Sequence, residues 1–557
     1  METLATQTAV QQKKRRHWRS QWNHLSPYWL VLVGGALFTA VLILLVPAYL
    51  LIRMGSAWAE TVETLSKPRT LAVLGNTVWL AAAVTLSTAA LAVPIAWLTT
   101  RTDLPGRRLW AVLTALPLVV PSYVFAYLYV TILAPKGLAQ QLLQPLGVNR
   151  LDPIYGFKGA FLVLTLVSYP YTLLTVRAAL ARMDPALLEA ARSLGLSQRQ
   201  AFWRVTLPYL RPSILVGSLL VSLYVLRDFG AVTLLQYSTF TRIIYNRYLS
   251  YKLDAAAAMA FVLVLLTAVI LLLEWRARGK SRYARVSVGA ARRLPPIPLG
   301  KWKLPALLFV GTVVFWALLV PVVTLSYWLW RGLNRDWAVR TPGGTATTVE
   351  YLISLLEPAW NSISVAAMGA FLAVLLALPI TILAVRHPGK TSHFFERLTY
   401  ASFALPGIVV ALAYVFIGVN YARPLYQTMP MLLAAYLVLF IPQAVGAERA
   451  SLMQVSPSLE EAGRSLGKRP FAVLRRITLP LVRPGIVAGA TLVFLTIMKE
   501  LPATLILSPL GFNSLSMQVW SNIGEALFAR AAAPTLLLIL LSSVPLAWLT
   551  LRGKDER

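Results

Sequence analysis

Cysteine is absent from the 557 residues, which excludes disulfides, thiolate metal sites and cysteine nucleophiles. Histidine is nearly absent as well. His17, His24, His387 and His393 are the full set, none lies in an apolar stretch, and no two share the HExxH spacing of a zinc hydrolase. Charge is scarce: Asp, Glu, Lys and Arg make up 13% of the chain, about half of the ~25% usual in soluble domains. With 57% hydrophobic residues and a mean hydropathy of +0.66, the chain reads as an integral membrane protein. Its 17 Trp and 22 Tyr suit helix ends at membrane interfaces. Acids are the scarcest charge, 21 against 52 bases, for a net charge of +31. Such an excess suits either nucleic acid or loops gathered on one side of a membrane, and the positions of the bases decide between the two.

Ten charge-free apolar stretches are long enough, or nearly so, to cross a bilayer of about 30 Å. They lie near 28–52, 71–100, 109–135, 159–176, 255–273, 304–330, 358–385, 398–422, 424–447 and 531–551. Two more, near 213–235 and 485–508, qualify except for a charged pair in the middle of each. The first stretch is 25 residues without a charge, longer than a signal peptide core and long enough to span, so it reads as an uncleaved helix. Twelve transmembrane helices follow. With the N-terminus inside, 36 of the 52 Lys and Arg fall in inside segments and 14 in outside loops; Arg227 and Lys499 lie within spans. This asymmetry puts both termini in the cytoplasm and accounts for the basic balance without nucleic acid.

The chain is doubled. Residues 184–212 and 456–484 align without gaps and match at 14 of 29 positions. Pro170 pairs with Pro442 and Arg177 with Arg449 at the same offset of 272. Earlier in each half the offset is 285, pairing "NTVWLAAA" from Asn76 with "NSISVAAM" from Asn361, and Pro121 with Pro406. An even number of spans per half makes the repeats parallel, related by a pseudo-twofold axis along the membrane normal. The expected organisation is a basic N-terminal segment 1–27, a first repeat 28–274, a Pro-rich basic linker 275–303 containing "ARRLPPIPLGKWK", a second repeat 304–551 and a tail 552–557.

The best-matched stretches are polar: "EAARSLGLSQRQAFWRVTLP" from Glu189 and "EAGRSLGKRPFAVLRRITLP" from Glu461. Asp184 or Ser456 suits an N-cap, Pro185 or Pro457 the first helical position, and Gly195 or Gly467 the residue after the helix. Each copy therefore predicts a short capped helix and a glycine turn. A second short helix follows, 198–207 or 470–479, stopped by Pro208 or Pro480. An amphipathic pair lying on the membrane is one explanation. Two copies on one side, equal in caps, turn and charges, fit two docking sites for a two-fold partner better.

The charged pairs Arg227–Asp228 and Lys499–Glu500 coincide at the offset of 272. Charges at membrane depth are costly and usually face a bundle interior or a pathway. Adjacent helical residues do not face each other, so the expected partners are Asp228 with Lys499 and Arg227 with Glu500. Such pairs are either fixed inter-helix ties or a gate that rearranges. Gly230 and Pro502, just beyond, are placed to break the helix.

The "EAARSLG...LP" and "EAGRSLG...LP" segments resemble the coupling motif of permease subunits in binding-protein-dependent ABC importers, and the resemblance covers nearly the whole chain beyond residue 27. It implies an all-α permease with two fused six-helix repeats, each carrying a cytoplasmic coupling helix. It also implies that Glu189, Ala190, Arg192 and Gly195, with Glu461, Ala462, Arg464 and Gly467, meet two copies of an ATP-hydrolysing subunit. A substrate-binding protein would dock outside, membrane lipid would surround the spans, and the whole would sit in a bacterial inner membrane. The chain itself is expected to be no enzyme and to bind no cofactor; ATP and magnesium would belong to the partner. Its nearest approach to a phosphate-binding loop, "AVRHPGKT" at 384–391, has Ala384 where glycine is needed and lacks a strand before it.

"LRDFGAVTLLQYSTFTRIIYNRY" and "KELPATLILSPLGFNSLSMQVW" resemble fused ferric-iron permeases, with fused thiamine permeases the nearest rivals. Fe³⁺ favours oxygen ligands, so Asp228 and Glu500 are candidate metal-contacting carboxylates. Tyr237, Tyr245, Tyr248 and Tyr251 are weighed as iron ligands and as an interfacial aromatic belt, and the belt fits better. An ion-driven secondary transporter or a scaffold without a pathway would leave the repeated coupling segments or the paired charges unexplained.

Overall fold

The computed structural model describes residues 27–135, 137–148, 150–278, 296–334, 339–341, 344–346 and 348–555. The N-terminal segment before residue 27, linker residues 279–295 and the last two residues lie outside them. The described chain is helical apart from a small antiparallel hairpin, Val339–Thr341 with Gly344–Ala346. Ten helices are long and apolar enough to cross a membrane. Two further apolar pairs bend sharply, Arg107–Val119 with Ser122–Gln141 by 98° and Lys390–Ala404 with Gly407–Asn420 by 108°. Counting each pair as one span gives the twelve of the sequence reading.

The bends correct one expectation. Residues 109–135 and 398–422 are not straight helices. Proline pushes its own and the preceding residue toward extended backbone, and Pro121 (ψ 149°) and Pro406 (ψ 146°) both take that conformation at the corner.

Pro208 and Pro480 bring a second correction, because neither stops its helix. Gln198–Arg227 and Pro470–Met498 run through as spans of 30 and 29 residues. A π-turn precedes each proline, Phe202–Thr206 in one and Leu474–Thr478 in the other. Phe315–Leu319, before Pro321, repeats the device. Widening one turn to i→i+5 makes room for the ring and absorbs the missing N–H, so the helix continues. The helix Met429–Leu452 also runs past the expected end at 447 and buries Glu448, whose carboxylate accepts from the Thr381 hydroxyl at 3.3 Å.

Contacts divide the chain into two compact units that do not follow the repeats. The described residues of one are 27–45, 367–403 and 436–494. Here the first helix, Pro27–Ser56, packs on the second repeat: Trp29 meets His387 edge-on at 5.5 Å, and a Cβ at Gly35 would lie 2.9 Å from Pro379. The other takes the described residues within 46–366, 404–435 and 495–555. In it the second repeat's first helix packs on the first repeat. Ala306, Val310 and Val314 share a core with Leu98 and Leu104, and Lys303 pairs with Asp103 at 2.8 Å. The Lys303 ammonium and the Leu299 N–H hold the Asp103 carboxyl below its usual range. The repeats thus interlock, each lending its first helix to the other.

Within each unit, glycine sets how closely spans approach. A Cβ at Gly217 would lie 2.6 Å from the Thr172 Cα, and one at the matching Gly489 would lie 3.2 Å from the Ala444 Cα. Small residues at crossing points are how helices associate where lipid supplies no hydrophobic drive. Gly75 has nothing within 4 Å of its Cβ direction. Gly217→Leu should therefore cost about 1–3 kcal/mol through overpacking, read as a lower thermal midpoint of the purified chain. Gly75→Leu should stay within about 0.5 kcal/mol of wild type.

Candidate functional site: broken spans and repeated polar segments

Each charged pair sits where a span ends early. The helix Leu207–Arg227 stops at Arg227, Asp228 is extended, and a five-residue helix, Gly230–Leu234, follows. The Asp228 Oδ1 accepts from the N–H groups of Ala231 (3.0 Å) and Val232 (3.2 Å), satisfying two donors that a helix start leaves open. In the second repeat the short helix Pro502–Leu507 opens on proline, which has no N–H to satisfy, and the Glu500 Oε1 accepts from the Ala503 N–H at 3.2 Å.

The carbonyls at the break are satisfied from the next helix. The Thr241 hydroxyl donates to the Asp228 carbonyl (2.6 Å) and the Ser516 hydroxyl to the Glu500 carbonyl (3.3 Å). The helices Phe240–Leu249 and Leu515–Gly524, which carry these hydroxyls, are tied in turn by the paired "NTVW" and "NSIS" stretches. Asn76 donates to the Ser238 carbonyl and Asn361 to the Asn513 carbonyl. The N–H of Phe240 donates to the Thr77 hydroxyl and that of Leu515 to the Ser362 hydroxyl. Both repeats thus build the same joint from the same residue types.

Of the two expected cross-pairs, Arg227 and Glu500 lie within electrostatic reach of each other. Among the described residues no bond joins Asp228 to Lys499; each bonds backbone instead. Lys499 Nζ donates to the Leu118 carbonyl at 3.1 Å, just ahead of the Pro121 corner. The corners supply further neighbours. Ser122 is within hydrogen-bonding reach of Asp228, and at the equivalent place Gly407 leaves room for the longer Glu500, whose Oε1 would lie 2.5 Å from a Cβ there. Gly230 is demanded by Tyr123, whose Cβ would lie 2.6 Å from an added one. Around the joint the Phe229 ring meets Tyr245 at 4.7 Å and Trp520 at 5.3 Å, and Tyr123 meets Trp520 edge-on at 6.5 Å.

Ser122 and Gly407 directly follow the paired prolines, so the offset of 285 held the signal for them. Phe229 and Trp520 had none. Of the weighed tyrosines, Tyr237 donates to the Asn76 carbonyl, Tyr245 meets Phe229 edge-on, Tyr248 lies within electrostatic reach of Tyr245 and Tyr251, and Tyr251 is 91% exposed. Among the described residues no three His, Cys, Asp or Glu side chains are grouped to hold a metal ion.

The polar segments fold as the caps predict. In Pro185–Ser193 the Asp184 carboxylate accepts from the Ala186 N–H at 3.0 Å, and in Pro457–Ser465 Ser456 serves Ser458 in the same way. Gly195 (φ +79°) and Gly467 (φ +76°) adopt the left-handed turn. Their N–H groups bond the carbonyls of Arg192 and Arg464, and the next N–H groups, of Leu196 and Lys468, reach Ala191 and Gly463. Both ends are therefore Schellman motifs. Glu189, Ala190, Arg192, Glu461 and Ala462 are exposed, and Arg464 is half-buried. Leu194 and Leu466, beside the glycines, are 83% and 80% exposed. Two capped helices thus present apolar tips beside charged side chains.

The "AVRHPGKT" stretch is no phosphate loop. It leaves a helix at Arg386, and the Ser392 hydroxyl closes the turn by accepting from the Gly389 N–H and donating to the His387 carbonyl. Burial, with Arg464 and Arg386 nearby, pushes His387 down to about 4, so it is neutral at physiological pH.

The sequence profile of the family described as binding-protein-dependent transport system inner membrane component matches twice, at residues 92–275 and 346–553. The chain is 33% identical over 527 residues to the Fe(3+)-transport system permease protein FbpB 2 of Haemophilus influenzae, covering 93% of this chain and 97% of that one. It is 24% identical over 465 residues to the ferric transport system permease protein FbpB of Actinobacillus pleuropneumoniae, covering 80% and 66%. The sulfate transport system permease protein CysT of Salmonella typhimurium is 28% identical over 271 residues, 47% of this chain and 96% of that one. With the family's domain present twice, the chain belongs to the binding-protein-dependent transport system inner membrane components, as a fused two-repeat permease of an ABC importer.

Proposed function

We propose that this permease moves ferric iron from an extracytoplasmic binding protein into the cytoplasm, driven by two copies of a separate ATP-hydrolysing subunit. The observation that carries the ATPase coupling is the duplicated, exposed helix closed by Gly195 and by Gly467. Two equal handles call for two equal motors. Both termini and both handles lie on the cytoplasmic side in this reading, supported by the excess of Lys and Arg in the segments assigned there. ATP and magnesium act on the partner; this chain supplies the path.

In the cycle, ATP binding draws the motors together and carries the handles with them, and the spans rock between inward- and outward-open arrangements. The joints at Asp228 and Glu500 are where spans are already broken, so they take up the change at least cost. The Arg227–Glu500 pair and the bond from Lys499 to the Leu118 carbonyl close the path at rest and exchange partners as cargo passes. Iron as cargo is supported by the Fe(3+)-transport permease that this chain matches nearly end to end. Fe³⁺ in transit takes oxygen ligands, which Asp228 and Glu500 supply in passing rather than as a closed site.

Reconstitution with the ATPase and binding protein tests the drive. Uptake should require ATP hydrolysis. Gly195→Pro with Gly467→Pro should cut it by about tenfold or more, since proline can neither adopt a positive φ nor donate the Schellman N–H. ATP-free uptake, or full uptake in that double variant, would refute the ATP-driven reading.

Asp228→Asn and Glu500→Gln keep an oxygen for the backbone donors and remove only the charge. Uptake should fall about 3–30-fold while assembly and thermal midpoint hold. Normal uptake in both single variants and the double would reduce these residues to structural caps. Cargo is read by competition: excess unlabelled Fe³⁺ should abolish uptake of labelled iron, and excess thiamine or sulfate should leave it unchanged. Displacement by thiamine or sulfate would reassign the cargo.

A further inference from the structure

The two handles match on their exposed faces and differ behind them. In the second repeat Arg386, which closes the helix Leu356–Arg386, places Nε 3.0 Å from the Glu460 Oε1 and donates to the Val455 carbonyl at 3.0 Å. Glu460 lies inside the handle helix Pro457–Ser465 and also accepts from the Thr478 hydroxyl at 3.1 Å. The two charged side chains are only 9% and 7% exposed. Arg464 adds a looser contact at 4.0 Å. The buried Arg386–Glu460 pair thus ties together the end of a span, the chain entering the handle, the handle itself and the π-turn beyond it.

The first repeat keeps most of these parts. Arg101 stands at the position of Arg386 at the offset of 285, and Thr206 at that of Thr478 at 272. Leu188 stands where Glu460 does, so the clasp has no acid. The first handle is seated by apolar side chains such as the buried Ala191. Apolar contact is non-directional and tolerates sliding. A buried ion pair does not, because moving either charge away leaves the other uncompensated. At its other end the helix Leu356–Arg386 carries Asn361 and Ser362, which hold the segment leading into Leu515–Gly524.

We propose that the two handles are mechanically unequal: Arg386 and Glu460 are positioning residues that make the second handle and its span one lever, whereas the first handle follows through apolar packing. This rests on the ATPase-docking reading above. ATP-driven displacement of the second handle is then passed along Leu356–Arg386 to the joint at Glu500.

The test uses the full complex of this chain, its ATPase and its binding protein in proteoliposomes, reading ATP hydrolysed per ion taken up. Glu460→Leu, which copies Leu188, should raise that ratio about 3–30-fold while the ATPase still co-purifies. The exchanged pair Arg386→Glu with Glu460→Arg should recover much of the coupling, which a merely space-filling role would not. A wild-type ratio in Glu460→Leu overturns the proposal. If the single variant fails to assemble, Arg386→Leu with Glu460→Leu decides, since it leaves no lone charge. Assembly with a raised ratio supports the lever, and failure to assemble, or a wild-type ratio, overturns it. An ATPase that never binds the wild-type chain would instead remove the docking on which the lever depends.

Discussion

A backbone that breaks inside a bilayer must find its hydrogen bonds within the protein, because no water is there to supply them. Much of the central architecture answers that demand. Asp228 and Glu500 serve the N–H groups of the short helices that follow them, and Thr241 and Ser516 serve the carbonyls left at the break. Lys499 takes up the Leu118 carbonyl 381 residues away. The acids that a sequence reading marks as pathway groups are first of all caps. That does not remove them from function. A joint whose backbone is held by side chains can change partners without unfolding a helix, which is what a moving permease needs.

Duplication makes the solution recognisable as a rule rather than an accident. Asn76 and Asn361, Thr77 and Ser362, Thr239 with Thr241 and Ser514 with Ser516 do the same work in each half. Where the halves differ, the difference is compensated locally. Glu500 is one methylene longer than Asp228, and glycine at 407 replaces serine at 122 to admit it. The Arg386–Glu460 clasp is a difference of another kind, because Leu188 stands in the first repeat where the acid would be.

Much of the plan was legible in one dimension. Apolar runs marked the spans, and Asp-Pro or Ser-Pro followed by glycine marked the handles, whose caps and left-handed turns depend on local chain geometry alone. The errors came where local rules met packing. Pro208 and Pro480 stop helices by propensity, yet π-turns carry the chain past them. Residues 109–135 and 398–422 are apolar enough for straight spans, yet turn a corner at Pro121 and Pro406. Asp228 was assigned to Lys499 by symmetry, before its own backbone neighbours could be counted.

The sequence by itself determined the number of spans, their doubling and the shape of the two handles, because hydrophobic length, offset and capping are read within a few residues of each other. Only the tertiary structure decided which charges meet. Glu460 finds Arg386 across 74 residues and Lys499 finds a carbonyl across 381. It also decided that each repeat lends its first helix to the other, as Gly35 against Pro379 and Lys303 against Asp103 show. Side-chain pairing over such distances depends on the path of the intervening helices, and that path is a property of packing rather than of any local stretch of residues.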